Sequence, residues 1–244
     1  LPGFYERLQQ SLATCPNSVG VGCTGFEYIN EEGEAIETGE VVSLYGENKG
    51  IMADWLFYIG ICGLVTIPAT VIRRTAYEQL GGHYPDLTEI SDWEIFKRFA
   101  CSYDWWYEPG ILARYREHTQ KMTPENWLSG KMPKAIRRAI EISDTYFPIE
   151  HRAKITANAR SQNFNYCLTR AVIPLQVGNI TGALSVLQES LKIDPSPEAV
   201  AKLFTWLAED EAAPLREEII AKLVLVPVDN IPTELKPPQS AIAP

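Results

Sequence analysis

Apolar residues along this chain change period about halfway. In the first half, short runs alternate with turns. Residues 1–14 predict a helix, because Pro2 suits a first turn and Phe4, Leu8 and Leu12 recur every fourth position. Cys15-Pro16-Asn17-Ser18 ends it. Residues 19–29 predict a strand, 30–34 a turn, and 35–42 a short returning strand. A loop over 46–50 leads to a short helix over 51–58. Residues 59–72 are β-branched and nearly uncharged, which suits a buried strand. A helix over 75–80 stops at Gly81-Gly82. Residues 83–90 are loop, and 92–103 form a helix with Trp93, Phe96, Phe99 and Ala100 on one face. Residues 105–115 hold a strand broken at Pro109-Gly110.

From Thr123-Pro124 the period becomes helical. Residues 135–142 and 152–175 are amphipathic, 178–193 follow with Ala183, Leu184, Leu187 and Leu191 in register, and shorter helices cover 198–207 and 215–223. Five prolines in 226–244 predict an extended tail. The expected organisation is therefore a mixed α/β region over 1–123, a helical region over 124–225 and a Pro-rich tail over 226–244.

Composition narrows the possibilities. A net charge of -9 argues against broad binding to nucleic acid, whose phosphates would be repelled. The five cysteines are odd in number, scattered and without a C-x-x-C pair, as in a cytosolic protein with reduced thiols. The apolar run over 59–72 is interrupted by Gly63 and Pro68 and falls short of the ~20 residues a spanning helix needs. The opening Leu-Pro-Gly has neither an initiating Met nor the pattern of a signal peptide, so a piece of a longer protein is expected.

Asp92 is the candidate chemical group. Ser91-Asp92-Trp93-Glu94 fits a capping box in which Ser91 caps the helix and Glu94 reaches back, leaving Asp92 a first-turn acid on the helix dipole. The same position suits a general base, which must be ionised and within reach of a hydroxyl. Both readings remain open on these residues. Gly60-Ile61-Cys62-Gly63 would let backbone approach a ligand, or would form a bulge. Trp55, Trp93, Trp105 and Trp106 would offer flat faces to a ligand ring or fill the core, and Trp93 adjoins Asp92.

Three stretches, in this order and spacing, resemble the C-terminal part of a family-2 glycosyltransferase of the GT-A fold. They are Leu1-Pro2-Gly3-Phe4-Tyr5-Glu6-Arg7-Leu8; Val71-Ile72-Arg73-Arg74-Thr75-Ala76 through Gly81-Gly82 and Asp86-Leu87 to Ser91-Asp92-Trp93-Glu94; and Tyr115-Arg116-Glu117-His118. The resemblance implies a partial GT-A-like mixed sheet with flanking helices. It implies transfer of a sugar from a nucleotide-sugar donor to an acceptor hydroxyl, hexosyltransferase-like and inverting, with Asp92 as base. Trp93, Glu94, Arg116 and Gly63 would contact substrate, and His118 would approach a metal. Arg116 and His118 are equally open to a structural ion pair and a surface position. Where the family has Glu before its catalytic Asp, this chain has Ser91.

The resemblance further implies Mg²⁺ or Mn²⁺, held mainly upstream of Leu1, because no Asp-x-Asp occurs in the chain. By itself the chain is expected to be inactive, with sheet edge exposed where upstream strands would pack. The acceptor would be a glycan, a lipid-linked glycan or a protein, and the location cytoplasmic or at the inner membrane face. Gly178, Ala183, Leu191 and Pro195 resemble the second helix of a tetratricopeptide unit, in a single copy where about three stack stably. A helical appendage and a protein-binding surface are the two alternatives for this region. A non-catalytic interaction module is the rival to the enzyme.

Overall fold

The computed structural model describes residues 1–117 and 122–224. The first half contains α1 (Phe4–Thr14), β1 (Val19–Ile29), β2 (Ala35–Thr38), α2 (Glu40–Tyr45), β3 (Gly50–Ile51), α3 (Trp55–Ile61), β4 (Thr70–Ile72), α4 (Arg74–Leu80), α5 (Ser91–Ser102) and β5 (Asp104–Arg116). The second half contains α6 (Met122–Leu128), α7 (Lys131–Tyr146), α8 (Ile149–Arg170), α9 (Val172–Gln176), α10 (Ile180–Ile193), α11 (Pro197–Leu207) and α12 (Ala213–Val224). The fold is α/β, with one mixed sheet of five strands. No helix among the described residues is long and apolar enough to cross a membrane. The Pro-rich tail over 226–244 lies outside the described residues.

β1 is the centre of the sheet. Along one edge it runs parallel to β5, from Val19 opposite Asp104 to Ile29 opposite Arg116. β4 and β2 share its other edge, both antiparallel, pairing at Val21–Cys23 and at Glu27–Ile29. β3 adds two residues beyond β5. Side-chain alternation then assigns the faces. Gly22 turns toward α1, where a Cβ would meet Leu8 at 3.0 Å. Trp105 turns the other way, into a ring cluster with Trp55 of α3 and Phe96 of α5. Helices therefore cover both faces, and α5 is held on the Trp105 side.

Three local expectations change. Residues 59–72 are not one strand: α3 takes the first part, a 3-10 turn occupies Ile67–Ala69, and only Thr70–Ile72 joins the sheet. A short apolar run does not distinguish buried helix from buried strand. Here Trp55 and Ile59 point into the core from one helical face. The return strand ends at Thr38, because Gly39 passes over the Phe26 ring so closely that a Cβ would lie 2.3 Å from it. α2 follows instead of further strand. The expected break at Pro109-Gly110 is a bulge: the pairing steps from Thr24 opposite Glu108 to Gly25 opposite Ile111, and β5 continues. Gly110 has φ +97°, a backbone region that side chains avoid.

The helical half packs on α3 and α5 and shares their hydrophobic core. Gly60 of α3 faces α8 with no room to spare, since a Cβ would fall 2.6 Å from Cγ2 of Ile155. Ser196 caps α11 by accepting the Ala199 N–H, with Pro197 in the first turn. Asn179 caps α10 by accepting the Gly182 N–H.

Candidate functional site

A cavity of about 890 Å³ opens where the start of α5, the loop after α3 and the end of β1 meet α6, α8 and α9. Asp92, Trp93 and Gly63 all line it. A helix start leaves backbone N–H groups unpaired, and Asp92 uses one: its Oδ1 accepts the Trp93 N–H at 2.8 Å. No other side chain hydrogen-bonds Asp92 among the described residues. Burial raises the Asp92 pKa above the ordinary carboxylate value, opposed by that backbone N–H, its own N–H and the charge of His83. The Tyr115 hydroxyl is pushed up by burial and by the charges of Asp92 and Glu117.

Trp93 is almost wholly buried, and its indole Nε1 donates to the carbonyl of Ile59 at 2.7 Å. The Lys97 ammonium sits 3.7 Å from its ring centre. Trp93 is thus a rigid wall element rather than an open stacking platform. Gly63 has the reverse character: a Cβ there would meet nothing within 4 Å, so the position borders open space. Gly60 is the glycine that packing requires. Cys62 also lines the cavity, but burial and then Glu40 push its thiol up to about 11, so it stays protonated at neutral pH.

The other expected site residues lie elsewhere. Glu94 is completely buried behind the cavity, where Arg98 donates to both of its oxygens (3.1 and 3.0 Å) and the Tyr146 hydroxyl donates to Oε1 (3.1 Å). It does not reach back to the helix start. Ile90 occupies the N-cap position without a side-chain cap, and Ser91 is the first helical residue. The expected capping box is therefore absent. A completely buried carboxylate needs paired charge more than a half-buried helix start needs a side-chain cap. Arg116 donates to the carbonyls of Asn30 (2.9 Å) and Glu31 (2.7 Å), clamping the turn after β1. His118 lies outside the described residues.

Of the expected tryptophans, Trp55 and Trp105 are core. Trp106 lines a second cleft of about 470 Å³, with Arg7, Ser11, Lys49 and Glu108. Glu108 is 2% exposed there and saturated with donors: Arg7 (2.8 Å) and Lys49 (3.2 Å) to Oε1, Ser11 (2.7 Å) and Trp106 (3.4 Å) to Oε2. Burial alone would raise its pKa, but bonds from Lys49, Ser11, Arg7 and Trp106 outweigh that and bring it to about 2.

The helical half supplies a wall of the larger cavity that no sequence motif marked. Trp127, Gln162, Tyr166 and Arg170 line it. The last three recur every fourth residue on α8, and that spacing was the available signal. Among the described residues no three His, Cys, Asp or Glu side chains converge to hold a metal ion. No protein-family model matches the chain, and no curated protein matches it.

Proposed function

We propose that the chain is part of a nucleotide-sugar glycosyltransferase, its sheet half GT-A-like and its helices a tetratricopeptide-like appendage, with Asp92 as the general base. The observation that carries this reading is the setting of Asp92. A carboxylate with raised basicity, held by backbone N–H groups alone, opens into a cavity large enough for a sugar. The ionised carboxylate takes the proton of an acceptor hydroxyl as that oxygen attacks the anomeric carbon of the donor. The nucleoside diphosphate leaves with the electron pair of the broken bond. Raised basicity favours proton transfer from a hydroxyl to the carboxylate. Trp93 fixes one wall, and Gly63 leaves room for the ring.

The described residues do not form a metal cage. Mg²⁺ or Mn²⁺ would draw its ligands from upstream of Leu1 and from His118. The test is transfer by the full-length gene product from UDP- and GDP-sugars with either ion present. Asp92→Asn is expected to lower transfer by about 10²–10⁴-fold while donor binding, measured by calorimetry, is retained. Undiminished turnover by that variant overturns the assignment. Failure of every donor to bind leaves the non-catalytic interaction module as the better account.

A further inference from the structure

Every other arginine among the described residues bonds a carboxylate or a main-chain carbonyl. Arg7 pairs with Glu108, Arg98 with Glu94, Arg114 with Glu27, Arg137 with Glu141 and Glu189. Arg74 and Arg138 also meet carboxylates, while Arg73, Arg116, Arg152, Arg160 and Arg216 meet carbonyls. Arg170 does neither. Its guanidinium lies over the Tyr166 ring, 5.1 Å from the centroid, and it lines the same cavity as Asp92. Acidic residues outnumber basic ones, 31 to 22, yet no carboxylate among the described residues pairs with it.

We propose that Arg170, Tyr166 and Gln162 form a binding subsite for an anionic saccharide, a sugar ring bearing a phosphate or a carboxylate. Arg170 is the last residue of α8, where the helix dipole favours any cation. The aromatic ring beneath it does more: it holds the planar guanidinium and leaves its N–H fork for an oxyanion. Tyr166 keeps 41% of its surface exposed and meets Trp127 edge-on at 5.6 Å, so it is braced yet accessible to a sugar ring. Gln162, one turn earlier, is exposed and has no hydrogen bond among the described residues, which leaves its amide for ring hydroxyls.

The charge pattern orients the ligand. Glu37, Glu40, Glu89 and Glu117 line the cavity with Asp92 and repel an anion from their surroundings. Among the described residues Arg170 is the cation that lines it, so the anionic group belongs on α8 and neutral hydroxyls belong near Asp92. That this ligand is the acceptor rests on the glycosyltransferase reading. That it binds here does not.

The experiment is a titration of this chain, followed by NMR and calorimetry, with glucose 6-phosphate, glucuronate, methyl glucoside and inorganic phosphate. The two anionic sugars are expected to bind about tenfold or more tightly than methyl glucoside, and more tightly than phosphate alone. Arg170→Gln should abolish the preference for charge, Arg170→Lys should keep only part of it, and Tyr166→Ala should weaken both sugars. Whichever anionic sugar binds more tightly identifies the group recognised. Equal binding of charged and neutral sugars, or a preference that survives Arg170→Gln, overturns the subsite. Phosphate binding as well as glucose 6-phosphate overturns its saccharide part. Asp92→Asn separates the two claims: it should keep the preference for charged over neutral sugar whatever it does to transfer.

Discussion

Glu108 and Asp92 lie on the two sides of one sheet and meet opposite treatment. Glu108, on β5 beneath α1, accepts bonds from four side chains, and its pKa falls to about 2. Asp92, at the start of α5, accepts one backbone N–H, and burial raises its pKa. Both carboxylates line a concavity of the same molecule. Burial and clefts alone therefore do not mark a reactive group. Glu108 has spent its lone pairs on joining α1, the Lys49 loop and β5. Asp92 carries the cost of burial with little compensation, which is the property the proposed base requires.

Substitutions sharpen that contrast. The largest effect expected is the 10²–10⁴-fold loss of transfer in Asp92→Asn of the full-length protein. Next, Glu108→Ala should destabilise the fold by about 1–2 kcal/mol in urea melts, because Arg7, Lys49 and Ser11 lose their common acceptor while both cations stay half exposed to water. Asp92→Asn should change stability by less than about 1 kcal/mol, in the stabilising direction at neutral pH, since it removes a costly buried charge. A loss of stability at Asp92 as large as at Glu108 would break the comparison.

Acid titration gives opposite signs. The depressed pKa of Glu108 contributes stability fully present above its ordinary value of 4.5 and lost as pH falls toward about 2. The raised pKa of Asp92 does the reverse: its cost is present when the group is ionised and is relieved as pH falls through the folded-state value. Carboxyl carbon NMR should find Asp92 protonating well before Glu108 as the solution is acidified. Urea melts of Glu108→Gln should lose the corresponding acid-side slope.

Lys97 extends the comparison to the platform behind Asp92. It is wholly buried, donates to the Ala139 carbonyl (2.9 Å) and the Ser143 hydroxyl (3.0 Å), and joins α5 to α7. Burial lowers its pKa from 10.5 to about 7, opposed by the charges of Glu94 and Cys101. A base with a lowered folded pKa costs stability when protonated, so stability should rise between pH 7 and pH 10.5. Lys97→Met, similar in length and apolar, should flatten that rise in urea melts at a series of pH values. An unchanged slope would show that another group titrates there.

Much of the local structure was legible. The predicted strand over 19–29 is β1, and the helix expected over 92–103 is α5 shifted by one residue at each end. The amphipathic stretches after residue 130 became helices because their apolar positions recur at the helical period. Gly178 and Pro195 flank α10 as turn signals should. The failures share a cause. Residues 59–72 carry no period, so length and hydrophobicity were silent on helix against strand. Glu94 matched a capping box by spacing, yet Arg98 and Tyr146, the latter 52 residues away, claimed its oxygens.

The chain's pattern by itself determined that β1, β5, α5 and the later helices exist, and it placed Asp92 at a helix start. Those properties depend on neighbours within a turn or a strand, where period and Gly-Pro punctuation act. Only the tertiary structure decided that β1 and β5 pair in parallel across more than eighty residues, that Glu108 rather than Asp92 is saturated, and that Arg170 joins Asp92 around one cavity. Burial, pairing and electrostatic field are set by groups brought together from distant parts of the chain. The setting of a lone aspartate or a lone arginine is fixed only when packing decides which groups surround it.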